Sequence, residues 1–193
     1  MKELLQSLPV YIALLAALLN LVRRQWTLNL LALLVQFVFV FPVLLRVLPL
    51  QLALIHPFTG LMVTLILYLT LLSVGGIKAI NLRVPLSSGE IFRALTGVFL
   101  IATLRVFIPQ LQQSVFPTVP GAHLFFSLGL ILIGLVQMGT IREPFYLAIG
   151  LLTFLSGFEM LYSALEFSYL LEALLVAVNL LLAIVGAFFI VKN

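Results

Sequence analysis

Glu159 is the residue of this chain best placed to do chemistry, because it stands inside a long apolar run, FLSGFEMLY, where a carboxyl group is costly unless used or paired. Counted from Pro144 at about 1.5 Å per residue, it lies about 22 Å into an apolar slab of about 30 Å. It reads either as a protonatable carboxylate or as half of an ion pair. The plain alternative is a polar residue near the outer interface, facing another subunit. Arg105 and Arg46 come out at similar depth on the same side, and either is a partner for Glu159 if the helices pack closely. Snorkelling to the outer headgroups is the alternative for both, and the favoured one for Arg46. Glu166 lies seven residues beyond Glu159 and shares its face if the helix continues that far, which would string two carboxylates along the exit of a proton path. The favoured reading of Glu166 and Glu172 is a solvated turn. His56 and His123 fall at the outer starts of two spans, where paired imidazoles ligate a haem b, relay protons, or simply sit at the interface.

Uncharged polar groups also occur inside the apolar runs. Gln36, Asn29, Asn179, Gln137 and Thr103 read mostly as inter-helix hydrogen-bonding groups, with Gln36 the candidate for a hydrated path beside Glu159. Gly150 and Gly157, with Ser156 and Ser163, allow close helix approach, and Ala183 and Ala187 form a small-xxx-small face. No Gly-rich phosphate loop, HExxH pair or GxSxG elbow is present, so the chain has no visible machinery for phosphoryl transfer or hydrolysis. Without cysteine there are no disulfides, thiolate zinc sites or cysteine-ligated clusters. No catalytic residue, cofactor or metal site is expected.

These residues must be positioned by membrane helices. Hydrophobic residues make up 64% of the 193 and charged ones 8%, a balance that a bilayer absorbs and a water-soluble core does not. The pattern predicts an all-α polytopic bundle of about seven spans, at roughly 8–22, 27–50, 58–75, 90–109, 123–139, 144–164 and 168–191. They form one transmembrane domain over 1–193, with a four-span part (1–122) and a three-span part (123–193). The first span reads as a retained anchor, not a cleaved leader. Ser7 before Pro9 reads as a cap, Ser87 to Glu90 as a capping box, and Pro144 as a first-turn proline. Pro42 and Pro49 should kink or end the second span, and Pro109 the fourth.

Seven of the ten basic residues (Arg23, Arg24, Lys78, Arg83, Arg93, Arg142 and Lys192) fall in loops on one side. The positive-inside rule makes that side cytoplasmic, with the N-terminus outside and the C-terminus inside. The net charge of +4 therefore reflects topology and not nucleic-acid binding. Loop 76–89 alternates apolar and basic residues, as a segment lying on headgroups or on a partner subunit would.

Residues 24–35 (RQWTLNLLALLV) weakly echo 142–153 (REPFYLAIGLLT), each entering a span from a cytoplasmic Arg. The stretch Ile141-Arg142-Glu143-Pro144-Phe145-Tyr146-Leu147-Ala148-Ile149-Gly150-Leu151-Leu152 resembles the second helix of the K subunit of respiratory complex I. With four further spans ahead, the chain is similar to the component E family of hydrogenase-4 and formate hydrogenlyase membrane arms. That resemblance implies a structural link in a complex-I-like or hydrogenase-like oxidoreductase, with a part in proton or ion translocation and no catalysis of its own. Its partners would be antiporter-like integral membrane subunits and lipids, in a prokaryotic cytoplasmic membrane. The family's intramembrane Glu falls at Leu152, which carries no proton, and Glu159 would replace it about 10 Å further out on the same face. The echo position in the second span, Leu34, is also uncharged. An accessory or scaffold subunit of another membrane complex is the alternative reading, and an independent small-solute permease another.

Overall fold

The structure, a computed structural model, describes residues 2–77, 80, 87–166 and 168–192, with side chains from Leu8 onward. Among the described residues eight helices follow one another: α1 Lys2–Val22, α2 Trp26–Leu44, α3 Leu50–Ala53, α4 Ile55–Ser73, α5 Ser88–Ser114, α6 Gly121–Thr140, α7 Pro144–Leu165 and α8 Tyr169–Lys192. No strand occurs among the described residues. Leu-, Val- and Ala-rich runs take this form because in hydrocarbon a segment must satisfy its own backbone hydrogen bonds. Among the described residues six segments are long and apolar enough to cross a bilayer, and the apolar part of α1, Leu8–Val22, is a shorter seventh. This is a helical membrane bundle.

Several boundaries differ from the sequence expectation. α1 starts at Lys2, so Ser7 lies inside it and does not cap it, and Pro9 removes one backbone bond from its interior. α2 ends at Leu44, two residues past Pro42, and not at residue 50. Pro49 instead caps the single turn α3, which leads into α4. Pro109 does not end α5, which runs on to Ser114 and closes with Val115 N–H bonded to the Leu111 carbonyl at 2.9 Å. A proline so near a helix end forfeits one bond and leaves the rest of the ladder intact. The other caps form as expected. The Ser87 N–H donates to the Glu90 carboxylate at 2.8 Å while the Glu90 N–H donates to Ser87 Oγ, and Pro144 opens α7. Gly75, at φ +67°, ends α4 in a Schellman turn with Gly76 N–H on the Leu71 carbonyl at 2.8 Å. In loop 76–89, residues 78, 79 and 81–86, with Lys78 and Arg83, lie outside the described residues.

The bundle consists of two helix trios: α1, α2 and α4 pack together, as do α6, α7 and α8. The trios meet along α2–α7, α4–α8 and α1–α6, while α5 packs outside on α6 and α1. Each trio pins its first two helices in the same way. Asn29 Nδ2 donates to the Asn20 carbonyl between α1 and α2, and Gln137 Nε2 to the Tyr146 carbonyl between α6 and α7, both at 3.0 Å. Glycines set the α6–α7 spacing: a Cβ on Gly134 would sit 2.6 Å from the Gly150 carbonyl oxygen, and one on Gly157 2.7 Å from that of Ser127. On α8 Ala183 is fully buried, but Ala187 is only half-buried. The close contact with α7 is made one residue earlier, where a Cβ on Gly186 would lie 2.8 Å from that of Ala148.

The two ends of the bundle differ. One carries Arg23, Arg24, Arg93, Arg142 and Lys192, the last residues before or after their helices or within a helix's terminal turns. There Arg93 reaches across to α1, donating from Nε to the Leu21 carbonyl at 2.9 Å and from Nη2 to the Val22 carbonyl at 3.1 Å. These are two of the carbonyls a helix C-terminus leaves open. Arg24 pairs with Glu143 at 2.8 Å and lies over the Tyr146 ring, joining the trios at their surface. The opposite end holds the starts of α4, α6 and α8.

Candidate functional site

The candidate site is at that opposite end, where α4, α7 and α8 converge. Glu159 lies on the interior face of α7, below Ser163 and above Ser156 and Thr153, all buried. His56, in the first turn of α4, places Nδ1 2.7 Å from Glu159 Oε1, with side-chain exposures of 0% and 2%. A hydrogen bond between an imidazole nitrogen and a carboxyl oxygen contains a proton whichever group carries it formally. The Glu172 carboxyl, from the first turn of α8, is buried in the neighbourhood of Glu159. Three ionisable side chains from three helices thus form one buried cluster, with a hydrogen bond between His56 and Glu159.

The surrounding residues hold the imidazole in place. Phe37 of α2 stacks on the His56 ring with centroids 4.8 Å apart and planes tilted by 34°. Phe37 reaches that position because Gly60, one turn along α4 from His56, leaves room for it, since a Cβ there would sit 2.3 Å from the Phe37 Cβ. Among the described residues, His56 Nε2 and Glu172 Oε1 are buried without a hydrogen-bond partner.

A seam of polar groups continues from the cluster toward the basic end. Thr153 Oγ1 donates to Gln36 Oε1 at 3.2 Å, joining α7 to α2 and so the two trios. Asn179 is buried two turns along α8 from Glu172, on the same face. Among the described residues, Gln36 Nε2, Ser156 Oγ and both polar atoms of the Asn179 amide are buried without a partner. Orphaned polar atoms of this kind are costly in a dry interior and are usually bridged by ordered water.

No protein-family model, curated protein or solved structure matches this chain. The site therefore stands on its own geometry.

The residues singled out from sequence separate into two groups. Glu159 and Gln36 lie in the interior, in the cluster and its seam. Arg105 does not reach Glu159: it is on the exposed face of α5, with its guanidinium 5.4 Å from the Phe125 ring centroid, and α5 packs on α6 and α1. Glu166 does not share the Glu159 face, because α7 stops at Leu165 and Glu166 turns to an extended conformation. It is exposed and accepts a hydrogen bond from the Tyr162 hydroxyl at 3.2 Å. The expectation of a solvated turn holds for Glu166 and fails for Glu172, which folds back into the bundle because α8 leaves the turn at once and packs on α4 and α7. The two histidines are engaged separately on α7, His56 with Glu159 and His123 through Nε2 with the Met160 carbonyl. Among the described residues no group of His, Cys, Asp or Glu is arranged to hold a metal ion. Leu152 is wholly buried in the apolar packing of the trios.

Sequence reasoning missed His56 as the partner of Glu159, and Glu172 as a member of the cluster. One signal was present for Glu172. Its seven-residue spacing from Asn179 puts both on one face of an otherwise apolar helix.

Proposed function

We propose that the protein is a proton-handling subunit of a larger membrane complex, with His56, Glu159 and Glu172 as the groups that take up and pass on the proton. The single observation that carries this reading is the buried 2.7 Å contact between His56 and Glu159, with Glu172 buried in its neighbourhood. Histidine and paired carboxyls are the side chains that exchange protons near neutrality when their surroundings change. The unpartnered groups of the seam support a hydrated connection inward, and the short distance from the cluster to the ends of α4 and α8 supports an outward one. Arg23, Arg24, Arg93, Arg142 and Lys192 at the other end favour a cytoplasmic face there, an N-terminus outside and a C-terminus inside. The resemblance of residues 141–152 and of the span layout supports a place in the membrane arm of a complex-I-like or hydrogenase-like assembly in a prokaryotic cytoplasmic membrane.

Infrared difference spectroscopy of the purified chain, titrated between about pH 5 and pH 9, tests the proton-handling reading. A carbonyl band of a protonated carboxylic acid should appear or shift across the titration and be lost or displaced in Glu159→Gln and in Glu172→Gln. A spectrum with no titrating carboxylic band, or one unchanged by both substitutions, overturns it. Mass spectrometry of chains co-purified in mild detergent tests the assembly, with antiporter-like subunits expected and a lone chain refuting it.

A further inference from the structure

At the basic end, α7 and α8 leave a crevice between them that opens toward the outside of the bundle. Its volume is about 210 Å³. Ala148 and Gly186 form its floor, where the two helices approach most closely, and Leu147, Leu151, Val185 and Phe189 form its walls. Leu147, Val185 and Phe189 are exposed along it, so the walls face the surroundings of the bundle and not its core. An α-helix with side chains is about 10–12 Å across, too wide for such a space, whereas a single hydrocarbon chain is narrow enough.

The mouth of the crevice is charged. Arg142, just before α7, lines it and is exposed. The adjacent carboxylate, Glu143, is engaged by Arg24, and no described carboxylate pairs with Arg142. Lys192 lies three residues beyond Phe189 and so on its face, with its ammonium 6.0 Å from the Phe188 ring centroid. Arg142 at the mouth of a narrow apolar slot, with Lys192 at the same end of α8, complements a phosphate on a hydrocarbon chain.

We infer that this crevice is a binding site for an anionic phospholipid, with one acyl chain between α7 and α8 and the phosphate on Arg142 and Lys192. The inference is independent of the proton-handling reading, since it involves neither the cluster nor the seam. Lipid that merely surrounds the bundle would be indifferent to headgroup charge, whereas this site selects for it.

The test is native mass spectrometry of the purified full chain in detergent, titrated with phosphatidylglycerol, with phosphatidylcholine and with inorganic phosphate. Phosphatidylglycerol should bind more tightly than phosphatidylcholine, and phosphate alone should not be retained. A juxtamembrane cation contributes enough that Arg142→Gln should weaken phosphatidylglycerol binding about fivefold, and Arg142→Gln with Lys192→Gln about twenty-five-fold. Phosphatidylcholine binding should not change in either variant. Leu147→Trp, which fills the slot from its exposed wall, should remove the preference with both charges in place. Equal affinity for the two lipids, insensitivity to the charge substitutions, or retention of phosphate alone would each overturn the inference.

Discussion

Replacing His56 with Leu should destabilise the bundle far more than the loss of one surface contact would. The substitution removes the partner of Glu159 at 2.7 Å, in a place where neither side chain reaches solvent. Removing one member of a buried ionisable pair typically costs about 3–5 kcal/mol, because the remaining group keeps its desolvation penalty. Here the penalty is compounded by Glu172, a second buried carboxyl near Glu159. Glu159→Leu is milder, since it strands a single imidazole nitrogen at a cost of about 1–3 kcal/mol. With both replaced, neither strands the other, and the double variant should lose at least about 2 kcal/mol less than the two single losses combined. The assay is reversible unfolding in mixed detergent and SDS micelles, followed by helical signal, as a double-mutant cycle. Additivity within about 0.5 kcal/mol would refute the reasoning, because it would mean that the two groups do not share an interaction.

Two further predictions concern the scaffold. Gly134→Ala must push α6 and α7 apart by about 0.8 Å to relieve the new 2.6 Å contact, so a loss of about 1–3 kcal/mol is expected in the same unfolding assay. Gly139→Ala, with nothing within 4 Å of the new Cβ, should be neutral or stabilising, and equal losses at the two sites would argue against close packing at Gly134. Arg93→Ala strips two charged hydrogen bonds from the end of α1 and should expose about 1.5–3 kcal/mol of local stability there. Hydrogen exchange at the last turn of α1 should quicken, and Arg93→Lys should not restore it because an ammonium lacks the planar fork. Unchanged exchange would refute the role assigned to Arg93.

Much of the scaffold was legible in the chain because its causes are local. Long runs of Leu, Val and Phe become helices whatever surrounds them, since lipid offers the backbone no other partner. The capping box at Ser87 and the opening turn at Pro144 involve residues within a few positions of each other, and both form as read. Boundaries that depend on packing were less legible. Whether α5 passes Pro109, or α7 stops before Glu166, depends on what each helix meets at its end. The choice of Gly186 over Ala187 as the contact with α7 depends on rotation about the axis of α8, and an almost uniformly apolar helix has no polar face to reveal it.

The candidate site divides along the same line. Glu159 and Gln36 stood out in sequence because an ionisable or amide group inside a span must be accommodated, and composition alone exposes that need. The accommodation itself is tertiary. His56 lies 103 positions away from Glu159 in the chain, and Glu172 sits across a turn that looks like an ordinary solvated connection. No spacing rule joins them, because the contact arises from three helices entering the bundle at the same end and from Phe37 and Gly60 fixing the imidazole between them. Sequence by itself determined that the chain forms membrane helices and that a carboxyl group is placed within them, for both follow from the cost of polar groups in hydrocarbon. Only the packing of the two trios decided which groups share that carboxyl's proton, because a hydrogen bond requires a distance and a direction that one-dimensional order does not contain.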